Sequence, residues 1–96
     1  MGDASKILVI DDDTAVRETI VQILEGEGFG VVAADNGRHG LDLFRSERPD
    51  LVITDMIMPE QLGADTVTAI LSEQPRAKII AMSGSDQIGE TFFLES

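Results

Sequence analysis

The sequence predicts an α/β domain built on a doubly wound parallel sheet. Three observations carry this: four apolar runs of strand length, helical periodicity in the segments between them, and an aspartate or serine closing each run. "KILVID" (6 to 11) is a near-continuous β-branched run, the habit of a strand buried on both faces. The period then changes. Val16, Ile20, Ile23 and Leu24 recur at helical spacing, with Asp13 or Thr14 as N-cap and Gly26, Gly28 and Gly30 as a stop, giving a first helix over roughly 14 to 27. "VVAAD" (31 to 35) is a second strand, and Asn36-Gly37 turns the chain into a helix carrying Leu41 and Phe44 that closes before Pro49. "LVITD" (51 to 55) repeats the first strand's pattern. A loop holding Pro59 and Gly63 follows, then a helix with Val67, Ile70 and Leu71 that ends before Pro75. "KIIAM" (78 to 82) is a fourth buried-type strand, followed by Ser83-Gly84-Ser85 and a last amphipathic piece with Ile88, Phe92, Phe93 and Leu94. Four β-α units in alternation imply right-handed crossovers.

The chain has 96 residues, so it forms at most one small domain, spanning 1 to 96 without linkers or low-complexity segments. With no cysteine it has no disulfide, thiolate metal site or cysteine nucleophile. No apolar run approaches a membrane span and "MGDASK" lacks a signal peptide's apolar stretch, so the expected compartment is the cytoplasm with no membrane contact. A net charge of -11 repels phosphate backbones. Direct nucleic-acid binding is therefore not expected, and cations or cationic partners are favoured.

Ligands of open parallel α/β sheets bind beyond the carboxyl ends of the strands. Those ends carry Asp11-Asp12-Asp13, Asp35, Asp55 and Ser83. If strands one and three are neighbours, as in the 2-1-3-4-5 order common for such sheets, Asp11, Asp12 and Asp55 converge on one cleft with Ser83 on its flank. Carboxylates packed together raise one another's pKa and need a cation. Oxygen-only donors select Mg²⁺, with Mn²⁺ as the alternative, and leave open positions for water and phosphoryl oxygens. A carboxylate beside such an ion is a plausible phosphoryl acceptor. Plainer roles compete residue by residue. A helix cap suits Asp13 but explains Asp11 poorly, because Asp11 closes a strand before the helix begins; Asp55 alone reads equally as a turn residue, and Ser83 alone as a loop hydroxyl bonding its own backbone.

Together, "KILVIDDD", "PDLVITDMIMPEQLGAD" and "KIIAMSGSD" resemble the receiver domain of bacterial response regulators, the partners of histidine kinases in two-component signalling. The resemblance implies a flavodoxin-like receiver fold in which Asp55 is phosphorylated and Asp11, Asp12 and Asp55 hold Mg²⁺ together with the backbone carbonyl of Ile57. It also implies that Ser83, with Gly84 beside it, binds a phosphoryl oxygen and switches, and that Pro59 and Gly63 shape the loop after the phosphorylation site. The donor would be a phosphohistidine of a kinase or phosphotransfer protein, and the signal would pass to an output domain or downstream protein. Such a domain is a phosphoacceptor rather than an enzyme.

The family's phosphoryl-pairing lysine lies further past Ser83 than Ser96 reaches, and Lys6 and Lys78 sit at the wrong ends of their strands to replace it. The expectation is therefore a C-terminally incomplete receiver of strand order 2-1-3-4, lacking the fifth strand and fifth helix. Its fourth strand would be an exposed edge, open to dimerisation or segment swapping, and helix one would lose its covering helix. Two other readings compete. One is an interaction module that keeps the fold without phosphorylation, against which stands the retention of all three aspartates. The other is a haloacid-dehalogenase-like phosphohydrolase, whose Asp-x-Asp-x-Thr/Val motif Asp11-x-Asp13 matches only in part, since Ala15 holds the last position. His39 reads as an exposed residue of the second helix, and Met56 and Met58 as packing around Asp55. Ile57 offers no polar side chain to orient a water, so slow self-dephosphorylation is expected.

Overall fold

In the computed structural model, which describes residues 5–55, 63–83 and 90–95, the first apolar run forms β1 (Lys6–Ile10), an interior strand of the sheet. It pairs in parallel with β2 (Gly30–Ala34) on one side and β3 (Leu51–Asp55) on the other, and β3 pairs in parallel with β4 (Lys78–Ser83). Between the strands run α1 (Thr14–Gly26), α2 (Gly37–Glu47) and α3 (Gly63–Glu73). The parallel strands take the order β2-β1-β3-β4, the one anticipated for a flavodoxin-like receiver fold.

β1 is uninterrupted in hydrophobicity because both of its faces are covered. Leu8 and Ile10 join Ala34, Val52 and Ile79 in a core closed by Phe44 of α2 and by Val67 and Ile70 of α3. Ile7 and Val9 alternate with them and are equally buried. Each such side chain contributes about 1.5–3 kcal/mol by leaving water, which fixes the strand whose end carries Asp11.

Helix boundaries follow local chemistry. Asp13 caps α1 by accepting from the Val16 amide at 3.1 Å, and Asn36 caps α2 by accepting from His39 at 2.8 Å. After α1 the chain turns through Gly28 at φ 97°, a left-handed conformation that favours glycine. α2 ends on Arg48, a non-glycine residue at φ 49°. α1 contains no buried residue, and its Val16 and Ile23 stay 42% and 61% exposed, in line with the expectation that this helix lacks a cover. No helix among the described residues is long and apolar enough to cross a membrane.

The last segment departs from the expectation. The piece carrying Phe92, Phe93 and Leu94 is not a helix: it forms β5 (Glu90–Glu95), antiparallel to β4, with Lys78 opposite Glu95 and Ser83 opposite Glu90. The receiver's parallel fifth strand is not among the described residues, but β4 is not the open edge that was anticipated. Unpaired amides and carbonyls along a strand are a liability, and pairing with the next apolar segment satisfies them. The proposed dimer through an exposed fourth strand thereby loses its surface, since β5 occupies it.

Candidate functional site

The parallel pairing of β1 with β3 sets Ile10 beside Thr54, so Asp11 and Asp55 leave neighbouring strands at the same level. One carboxylate oxygen from each of Asp11, Asp12 and Asp55 lies within 4.8 Å of the others. Asp11 and Asp55 are 3% and 8% exposed, while Asp12 stands at the solvent rim. Two acids are thus held largely out of water beside a third.

Local bonds hold this loop. The Asp11 amide donates to the Ala34 carbonyl at 3.1 Å, prolonging the β1–β2 ladder by one residue. The Asp13 amide donates to Asp11 Oδ1 at 2.8 Å, and Arg17 Nη1 donates to the Asp11 carbonyl at 2.8 Å. Thr54, fully buried, donates its hydroxyl to the Asp55 carbonyl at 3.1 Å. Burial pushes the Asp11 carboxyl above its usual value, and the charges of Asp55, Asp12 and Asp13 push it further up against the Asp13 amide bond that favours ionisation. The oxygen-only donor set, the spacing and the mutual repulsion of the three carboxylates all fit a hard divalent cation.

The expected residues separate cleanly. Asp11, Asp12 and Asp55 come together as anticipated, and Asp13 caps α1. Ser83 closes β4, one residue past Met82, the register partner of Asp55. Gly63 begins α3. Ile57, Pro59, Gly84, Met56 and Met58 lie outside the described residues. His39 is exposed on α2, 3.9 Å from Asp35. Two contributors escaped sequence reasoning. Arg17 lies in the second turn of α1 and reads as one more surface cation, yet it ties down the Asp11 backbone. Gly40 faces β1 so closely that a Cβ there would lie against Ile10 Cδ1 and 2.7 Å from its Cγ1. A glycine within a helical stretch was the available signal.

The arrangement defines a class: a doubly wound α/β domain that gathers at the carboxyl edge of its sheet a carboxylate cluster able to hold a cation. The chain belongs to the response regulator receiver domain family, whose model matches residues 7–93. It is 38% identical over 85 residues to the response regulator MprA of Mycolicibacterium vanbaalenii, covering 88% of this chain and 37% of that protein. It is 32% identical over 96 residues to the transcriptional regulatory protein CseB of Streptomyces coelicolor, covering all of this chain and 41% of that protein. The chain therefore spans about two fifths of the length of these curated relatives. Among solved structures, a CheY-like response regulator receiver domain protein from Methanospirillum hungatei superposes with a TM-score of 0.83 at 30% identity, over 90% of this chain and 69% of that one. The response regulator TrrA of Thermotoga maritima, in complex with Mg²⁺ and beryllofluoride, superposes with a TM-score of 0.75 at 37% identity, over 78% of this chain and 65% of that one.

Proposed function

We propose that this chain is the phosphoacceptor domain of a two-component response regulator, taking a phosphoryl group from a phosphohistidine onto Asp55. The observation that carries the reading is the convergence of three carboxylates, two of them buried, with ligand oxygens within 4.8 Å at the ends of adjacent strands. A binding module has no use for such repulsion, which lends the phosphorylation-independent reading no support.

Asp11, Asp12 and Asp55 would hold Mg²⁺, which when bound supplies neutralising charge for the incoming phosphoryl group. The Asp55 carboxylate oxygen attacks phosphorus in line with the donor nitrogen. The new O–P bond forms as the N–P bond breaks; with the donor ring protonated at its other nitrogen, the electron pair of the broken bond leaves a neutral imidazole on the donor and an acyl phosphate on Asp55. Rigidity comes from the two fully paired central strands. The bonds to the Asp11 carbonyl and carboxylate hold the first loop in place, so little reorganisation is needed at transfer. Ser83, at the end of the strand beside Asp55, is assigned to a phosphoryl oxygen, and the Ile57 carbonyl to the cation.

The donor is a histidine kinase or a histidine phosphotransfer protein in the cytoplasm. An output domain within the same polypeptide is the partner that fits relatives more than twice as long, one of them named a transcriptional regulatory protein. The test is a titration with beryllofluoride and Mg²⁺ followed by backbone amide resonances. Saturable shifts at Asp11, Asp12 and Asp55, abolished by Asp55→Asn and by omission of Mg²⁺, are expected. Shifts that persist in Asp55→Asn would rule the assignment out.

A further inference from the structure

The chain is polarised along its strands. Aspartates close β1, β2 and β3 at the carboxyl edge, while cations collect at the amino edge, where Lys6 and Lys78 open β1 and β4. At that amino edge, between the C-terminal ends of α2 and α3, lies an open cleft of about 620 Å³. Four of the chain's seven cationic residues line it: Arg45, Arg48, Arg76 and Lys78. Its lining acids are already engaged. Glu73 accepts two bonds from Arg45 Nε at 2.9 and 3.1 Å, and Asp50 accepts from the Lys6 amide at 2.8 Å. The Arg45–Glu73 contact raises the Arg45 pKa and lowers that of Glu73. Arg48, Arg76 and Lys78 make no ion pair among the described residues, although Glu95 is the cross-strand neighbour of Lys78.

We propose that this cleft binds a small polyanion, a molecule carrying at least two phosphate or carboxylate groups. Phe44, Pro49 and Ala77 give it an apolar contribution, and its size matches the roughly 300–1,000 Å³ of small-molecule sites. The rival explanation is that the cations merely complement two helix C-termini, each worth about half a negative charge. Among the lining residues, four cations against two acids and two half-charges leave a net positive charge, so dipole compensation does not use it up. The net charge of -11 resides mainly elsewhere and is screened within about 8 Å at physiological salt. It opposes a large acidic protein more than a small anion that enters one pole. Arg48 adds a second feature: its left-handed backbone is one that glycine would adopt without strain, yet the residue that stands there is an arginine lining the cleft.

The site is at the opposite end of the sheet from Asp55, so its test is independent of phosphorylation. Protein freed of divalent ions is titrated in parallel with inorganic pyrophosphate and with citrate at fixed ionic strength, following backbone amides. Saturation by at least one probe is expected, with shifts confined to Arg48, Asp50 and residues 76–78, and affinity should fall as NaCl is added. Preference for pyrophosphate assigns phosphate as the natural group, and preference for citrate assigns carboxylate. Arg48→Gly combined with Arg76→Gln should weaken binding by about tenfold or more, whereas Arg38→Gln should not. The glycine suits the backbone at residue 48, so the variant keeps its fold and binding remains readable. Failure of both probes to saturate, shifts elsewhere, or a double variant that loses thermal stability while binding as tightly as the parent would overturn the proposal.

Discussion

Replacing Gly40 by alanine joins the fold to the site most directly. The added Cβ would meet Ile10 at Cδ1, with Cγ1 at 2.7 Å and Cγ2 at 3.3 Å, distances at which something must move. Ile10 is fully buried in the core and cannot swing into solvent. Overpacking of this kind costs about 1–3 kcal/mol, while alanine in a helix recovers about 1 kcal/mol relative to glycine. The balance is a loss of roughly 1 kcal/mol, or about 4–8 °C in Tm for a domain of this size. Ile10 immediately precedes Asp11, so its displacement should also weaken Mg²⁺ binding by several-fold. Urea unfolding and Mg²⁺ titration of Gly40→Ala, Ile10→Val and the double variant form the assay. Ile10→Val removes Cδ1 and alone should cost about 0.5–1.5 kcal/mol; in the double variant the two losses should sum to less than their separate values. A Gly40→Ala protein as stable as the parent, or strict additivity, would refute the close-packing argument.

Three further expectations follow from single bonds and charges. Asp13→Ala removes the α1 cap and should lower stability by about 1 kcal/mol in chemical unfolding, while Mg²⁺ affinity stays near that of the parent. Arg17→Met removes the bond to the Asp11 carbonyl and should weaken Mg²⁺ binding by up to about tenfold, roughly 1.4 kcal/mol; an unchanged affinity by calorimetry would deny Arg17 a positioning role. The third concerns pH. Because Asp11 holds its proton more tightly folded than unfolded, its contribution to stability falls as pH rises from 3.8 through its raised folded value. In metal-free protein, Asp11→Asn should therefore be more stable than the parent at neutral pH, an advantage that disappears below pH 3.8 and is reversed when Mg²⁺ stabilises the parent alone.

The parts of this fold that could be read from sequence are those where burial acts on both faces of a strand. "KILVI", "LVIT" and "KIIAM" are continuous apolar runs because they sit in a covered parallel sheet, and their function-bearing ends followed, while their order came from the resemblance to the receiver fold. The C-terminal segment was not legible. Ile88 and Phe92 stand at helical spacing, while Phe92-Phe93-Leu94 is equally a short strand run, and periodicity alone does not separate the two. The deciding influence is non-local: the hydrogen-bonding edge of β4 recruits β5. The acidic site was visible because three like charges beside strand ends demand a cation. Arg17 and Gly40 were not, since one acts through a backbone carbonyl six residues away and the other through the absence of a side chain.

Phosphorylation of Asp55 is the central proposal for this chain, and one measurement addresses it directly. The chain is incubated with acetyl phosphate and Mg²⁺, its intact mass is recorded, and the modified residue is located by borohydride reduction and peptide mapping. A gain of one phosphoryl group on Asp55, absent in Asp55→Asn and absent when Mg²⁺ is chelated, is the expected result. No gain in folded protein, or a gain that survives Asp55→Asn at the same site occupancy, would contradict it.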